Sequence, residues 1–263
     1  MARVYPLFSS SKGNATYIGN EKGGILIDAG VSCKMLTQAL HDNGLSPEAV
    51  RGIFITHEHT DHIKGLKVFT KNFHTPVFAG DKNLEFLLSA DHISPHSRAE
   101  TINVDEKFIE CGGYKIHAFS TPHDTRQSNG YRIITPDLKT ITICTDLGNV
   151  TENVHQNLCG SDLVLFEANY DELMLQNGRY PYMLKKRIAS NHGHLSNKDS
   201  AAEIERLLNL GTTRIILGHL SQENNTPIKA RETLLNHLSG FKCGIDYILK
   251  IAPVFNEGEV VTL

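Results

Sequence analysis

Thr56-His57-Glu58-His59-Thr60-Asp61-His62 places four metal-ligating side chains within six residues, directly after the strand-like run Gly52-Ile53-Phe54-Ile55. On a turn leaving a strand, the H-x-H-x-D-H spacing can present imidazoles to one cation and an Asp-His pair to a neighbouring one. Chance placement at this composition would produce the pattern only about 0.002 times in a chain of this length. Neutral imidazoles and a carboxylate suit zinc, manganese or iron. The five cysteines (Cys33, Cys111, Cys144, Cys159 and Cys243) include no C-x-x-C pair, which argues against a thiolate-bound structural zinc. They are expected to be buried, small apolar residues rather than disulfide partners.

Outward from this stretch, other apolar runs also end in coordinating residues. Gly-Ile-Leu-Ile ends in Asp28, Ile-His-Ala-Phe-Ser-Thr-Pro in His123, and Thr-Ile-Thr-Ile-Cys-Thr in Asp146. Leu-Val-Leu-Phe ends in Glu167 and Arg-Ile-Ile-Leu-Gly in His219. Strands of one sheet system would deliver such residues to a common edge, where rigid elements hold a site and loops admit a substrate. His123, Asp146 and His219 are the natural candidates to complete two cation sites, with a carboxylate such as Asp146 able to bridge them.

The chain around these motifs has 263 residues, 40% of them hydrophobic, enough to bury roughly three quarters of its unfolded surface as one domain over 1–263. A formal net charge of -3 excludes a strongly basic nucleic-acid coat, so an anionic substrate must be drawn by local charge or by metal. No apolar run approaches the roughly 20 residues of a membrane span, and the start lacks a signal-peptide stretch. The expected location is the cytoplasm, without membrane insertion.

Strand patterns fall at 15–19, 24–28, 52–56, 114–121, 130–135, 140–145, 162–167, 213–217 and 246–251. Helices are expected at 34–43, 63–72, 83–88, 197–210 and 227–238, the last two capped by Ser196 and Thr226. Early strands separated by turns point to antiparallel pairing, and the later alternation of strand and helix to an α/β sheet with helices outside.

Asp28, the His57–His62 cluster, His123, Asp146 and His219 stand in the order and contexts of the five motifs of the metallo-β-lactamase fold superfamily, which the chain resembles over most of its length. The resemblance implies a four-layer αββα sandwich of two mixed sheets flanked by helices. It also implies two divalent metal ions, one held by His57, His59 and His123, the other by Asp61, His62 and His219, with Asp146 bridging. Asp28 would hydrogen-bond the ligand loop, as metal ligands commonly require.

Three features point to phosphodiesters. The loop Ser9-Ser10-Ser11-Lys12-Gly13-Asn14 offers hydroxyls, amides and a cation to a phosphate, through Ser9, Ser10, Ser11, Lys12 and Asn14. Glu167-Ala168-Asn169-Tyr170-Asp171 and His192-Gly193-His194-Leu195-Ser196 resemble the paired glutamate and histidine loops of the tRNA 3′-processing branch. His194 would protonate the leaving oxygen and Glu167 would orient it. The tetrapeptide Gly-His-Leu-Ser occurs at both Gly193 and Gly218, but only His219 ends an apolar strand, which favours His219 as the ligand. Finally, the 72 residues between Asp146 and His219 leave no room for a separately folded cap.

The whole pattern is most similar to the WalJ/YycJ (VicX) subfamily of DNA exonucleases. That resemblance implies 5′-to-3′ cleavage of duplex DNA by a water activated between two cations and oriented partly by Asp61. Lys12, Lys185, Lys186 and Arg187 would add local positive charge. The rival readings are a thioester or small-ester hydrolase using the same metals, and a non-catalytic metal-binding regulator.

Overall fold

The computed structural model describes residues 2–103 and 108–263. Its first sheet contains β1 (Arg3–Ser10), β2 (Gly13–Asn20), β3 (Gly23–Ile27), β4 (Val50–Ile55), β5 (Val77–Ala79) and β6 (Ala99–Thr101) in that spatial order. The second contains β7 (Ile109–Cys111), β8 (Tyr114–Ser120), β9 (Asn129–Ile134), β10 (Thr140–Cys144), β11 (Leu163–Glu167), β12 (Arg214–Gly218) and β13 (Ile248–Ile251), also in order. The two-residue β14 (Val261–Thr262) closes the free edge of the first sheet, antiparallel to β1.

Both sheets are mixed. Pairing is antiparallel among β1, β2 and β3 and among β7 to β10, and parallel from β3 to β6 and from β10 to β13. The parallel halves carry the helices, because a parallel pair needs a crossover.

Alternation along the strands sorts side chains into layers. Ile25 and Ile27 meet Ile116, Tyr131, Ile141 and Leu165 between the sheets, whereas Leu26 faces the opposite way. On that outer side it packs with α1 (Cys33–Asp42), α3 (Leu66–Phe73) and α4 (Asp81–Ser89) through Leu36, Phe69 and Leu87. Val164 and Phe166 turn to the far side of the second sheet, against Val154 of α5 (Glu152–Leu158), Ile204 of α8 (Asn197–Asn209) and Leu234 of α9 (Pro227–His237). The result is the expected α/β/β/α sandwich.

Ser196 accepts from Asp199 N (3.1 Å) and Thr226 from Lys229 N (3.1 Å), so both cap their helices. The helix expected at 63–72 is instead two, α2 (Thr60–Ile63) and α3, because Gly65 N bonds Ala29 O at 2.8 Å rather than continuing the turn. Several elements were not anticipated. The strands β5, β6 and β7 are only three residues long. Pro6 sits at a register shift that hides β1, while α6 (Glu172–Asn177) and α7 (Tyr182–Ile188) lack a buried stripe. All five cysteines are free. Cys33, Cys111 and Cys144 are buried, but Cys159 and Cys243 are only half-buried, which corrects the expectation for those two.

Candidate metal centre

The ends of β3, β4, β8, β10, β11 and β12 converge at one margin of the sandwich. Three of the six non-glycine residues with positive φ among the described residues stand there: Asp28 (61°), Asp146 (58°) and His219 (54°). Each directly or almost directly follows a strand, and the left-handed backbone turns its side chain into the shared space. Such conformations are costly for residues with a Cβ and persist where the surroundings enforce them. Gly30 is required for a different reason: a Cβ there would lie 1.6 Å from Asp61 O, so only glycine lets the ligand loop pack this closely.

Donor atoms of His57, His59 and His123 lie within 4.8 Å of one another, as do those of Asp61, His62 and His219, and those of His57, His62 and Asp146. Each of the first two trios takes two residues from the segment after β4, His57 and His59 from its loop or Asp61 and His62 from α2, and one from the second sheet. Asp146 reaches towards both: its Oδ2 is 3.5 Å from His62 Nε2, and its Oδ1 is 3.7 Å from His123 Nε2 and 3.5 Å from His219 Nδ1.

The far nitrogens of these rings are fixed by neighbours. His62 Nδ1 lies 2.7 Å from Asp28 Oδ2, and Asp28 also accepts from Thr56 N (2.8 Å) and Thr56 Oγ1 (2.9 Å). His123 Nδ1 donates to Gly193 O (2.9 Å), leaving Nε2 for the cleft.

Burial sets the imidazole chemistry. It holds His57 well below the ordinary histidine value, helped by His62 and His123, and lowers His123 as well. His62 and His219 go the other way. Burial alone would lower them, but Asp28 and Asp146 raise His62 well above the usual value, and Asp146, Asp61 and Glu167 raise His219 to about 10.

A divalent cation is what this donor set fits. Buried Asp146 Oδ2 and His219 Nε2 have no hydrogen-bond partner among the described residues, and the surrounding carboxylates draw positive charge onto imidazoles that a cation would bind as neutral ligands.

Beside this centre, Glu167 is wholly buried. Its Oε1 lies 2.8 Å from Nδ1 of both His194 and His219, and its Oε2 accepts from Leu147 N (3.0 Å) and Leu195 N (3.2 Å). Burial would raise this carboxyl, but the two imidazoles hold it below the usual carboxylate range. His194 is one-fifth exposed and lines a cleft of about 240 Å³ together with Asp61, Tyr180 and Arg187.

The N-terminal loop differs from expectation. Ser9, Ser10 and Asn14 are buried, because Ser9 and Ser10 end β1 while Gly13 and Asn14 begin β2. Ser9 Oγ accepts from His219 N (2.8 Å), and Asn14 Nδ2 lies 3.3 Å from Asp61 Oδ2 and 3.1 Å from His62 Nε2. These residues hold the candidate ligands; the exposed turn Ser11-Lys12 is left open to a substrate, and Ser11 lines the cleft.

Lys185 and Lys186 do not line the cleft, whereas Arg187 does, paired with Asp124 beside His123. Thr56 and Asn169, whose Nδ2 donates to His219 O (2.9 Å), are supporting residues that sequence reading did not single out. The one available signal was Thr56 immediately before the first ligand.

The profile of the β-lactamase superfamily domain matches residues 24–220, a span that holds every candidate ligand. The chain belongs to the metallo-β-lactamase-fold family.

Within this family it is 35% identical over 246 residues to a Streptococcus pneumoniae protein named exodeoxyribonuclease WalJ, covering 93% of this chain and 91% of the relative. It is 33% identical over 247 residues to exodeoxyribonuclease YycJ of Bacillus anthracis, covering 90% of each. Among solved structures, the metallo-β-lactamase-fold protein YhfI from Bacillus subtilis superposes with a TM-score of 0.75 at 16% identity, covering 99% of this chain and 98% of that one. Among the described residues no helix is long and apolar enough to cross a membrane.

Proposed function

We propose that the protein is a metal-dependent exodeoxyribonuclease that hydrolyses phosphodiesters of duplex DNA from the 5′ end, with two divalent cations seated between the loop after β4 and the ends of β8, β10 and β12. The observation that carries this reading is the pairing of a complete donor set with a hydrogen-bonded Glu167–His194 couple at the same cleft. A metal scaffold has no use for the couple, and thioester hydrolysis expels a thiolate that needs no proton. The relatives named exodeoxyribonucleases, similar over nine tenths of the chain, support DNA as the substrate.

His57, His59 and His123 would hold one cation and Asp61, His62 and His219 the other, with Asp146 between them. Zinc, manganese or iron suits such ligands. Bound there, the cations supply a Lewis acid for the phosphoryl oxygens and an acidified water.

The chain's own groups do the rest. Asp61, one-quarter exposed and held by Asn14, accepts a hydrogen bond from the attacking water and aims it at phosphorus. Glu167 keeps the Nδ1 proton of His194 engaged, so that Nε2 is the nitrogen that delivers a proton to the departing oxygen. Ser11 lines the cleft and the exposed Lys12 follows it in the same turn, where a phosphate would enter.

The test is a titration of chelated protein with Zn, Mn and Fe, offering 5′-phosphorylated duplex DNA, single-stranded DNA, RNA and a thioester. Mononucleotides released from duplex DNA are the expected result. Turnover of the thioester alone, or inactivity with every metal, would remove the nuclease reading.

A further inference from the structure

A surface helix ordinarily hides one stripe of side chains against the body of the protein. The α7 helix hides none: every residue from Tyr182 to Ile188 is exposed or half-exposed. It nevertheless sits against the cleft and is tightly anchored. Its last carbonyl, Ile188 O, accepts from His194 N at 2.8 Å, and Arg187 pairs with Asp124 next to His123. At Gly193 a Cβ would come within 2.2 Å of the carbonyl oxygens of Arg187 and Ile188, so the end of the helix lies directly on the His194 loop.

Two open spaces flank it. Tyr180, Leu184, Arg187 and Ile188, spaced four, three and one residues apart, look into the catalytic cleft. Tyr182, Lys185, Lys186 and Ala189, spaced three, one and three, line a second groove of about 480 Å³ on the opposite side. The helix is therefore a thin wall with an open channel on either face.

Its chemistry is that of a nucleic-acid contact. Between 179 and 187 stand Arg179, Lys185, Lys186 and Arg187 with no acidic residue, in a chain whose net charge is -3. Tyr182 is 70% exposed, and Lys186 Nζ lies 5.6 Å from its ring centre. Aromatic faces that stack on bases, interleaved with cations that follow phosphates, make the usual platform for an unpaired strand.

We infer that α7 divides the end of a DNA duplex, directing the strand to be cut past Tyr180 and Arg187 into the cleft and its complement into the outer groove along Tyr182, Lys185 and Lys186. The inference rests on the nuclease reading above and adds to it how a paired end reaches a cleft of only about 240 Å³.

The test compares metal-loaded wild type with Lys185→Glu/Lys186→Glu and with Tyr182→Ala, all changes at exposed or half-exposed side chains that are not candidate ligands. One readout is the ratio of kcat/KM on a blunt duplex to that on the corresponding single strand. The other is the fluorescence of a 2-aminopurine at the end of a phosphorothioate-blocked duplex, which rises when the terminal pair opens. The expectation is a severalfold rise on binding wild type that is lost in the variants, with the duplex-to-single-strand ratio falling at least tenfold. Wild-type cleavage with an unchanged ratio in both variants, or no fluorescence rise with wild type, overturns the dividing wall alone. No cleavage of any DNA by wild type overturns the nuclease reading and the wall with it.

Discussion

Glu167 Oε1 stands 2.8 Å from His194 Nδ1, joining a carboxylate with no solvent exposure to an imidazole one-fifth exposed at the cleft. Because the carboxylate occupies Nδ1, the proton available to a substrate is the one on Nε2. His194→Ala should therefore reduce kcat on DNA by about 10²- to 10⁴-fold while leaving metal content intact. A phosphodiester with a p-nitrophenyl leaving group, which departs without protonation, should lose far less. Equal losses on both substrates would show that His194 is not the proton donor.

Asp28 acts one layer further out. It accepts two hydrogen bonds from Thr56 and holds His62 Nδ1 at 2.7 Å, so Asp28→Asn removes the charge that orients a candidate ligand. Metal affinity measured by chelator competition should drop about 10- to 100-fold. Undiminished affinity would mean that packing alone positions His62.

Chelation has a thermodynamic signature. Cations that bind only the folded chain contribute about 4 kcal/mol when free metal is a thousand times its dissociation constant, or on the order of 10 °C in Tm. Calorimetry with and without EDTA should show that difference for wild type, and His219→Ala should shrink it. A Tm insensitive to EDTA in wild type would contradict occupancy.

Alkaline pH tests the packing between the sheets. Burial pushes the Cys111 thiol from 9.0 to about 11 and the Tyr114 hydroxyl from 10.0 to about 12. Both groups ionise more readily in the unfolded chain, so their stabilising contribution is complete below pH 9 and diminishes as pH rises through 9 to 12. The urea midpoint should fall between pH 9 and 11, and less steeply in Cys111→Ala, even though that variant starts from a lower value. Parallel profiles would rule out the thiol as a contributor.

What could be read in the sequence follows from which signals are local. The His57–His62 cluster and the strand-terminal Asp28, His123, Asp146, Glu167 and His219 announce themselves because a coordinating residue after an apolar run is visible in one dimension. The structure brings these residues to one margin of the sandwich. Ser9 and Asn14 were misread as substrate contacts, because the direction of their side chains depends on the β1–β2 pairing and on where His219 and Asp61 arrive from distant parts of the chain. The helix expected over 63–72 is broken at Gly65, whose N–H bonds Ala29 O, an acceptor that no local pattern reveals. The α7 helix escaped notice because periodicity detects a buried face, and it has none.

The way the donor trios are divided has a mechanical meaning. His57 and His59, or Asp61 and His62, come from one sheet, and His123 or His219 from the other. A cation in either place would be a rivet through the seam of the sandwich, joining two layers that otherwise meet through apolar packing and a few hydrogen bonds such as His219 N to Ser9 Oγ. Cohesion of the halves and shape of the reaction chamber would then depend on the same few bonds, and a chain starved of metal should begin to loosen at the margin where it works.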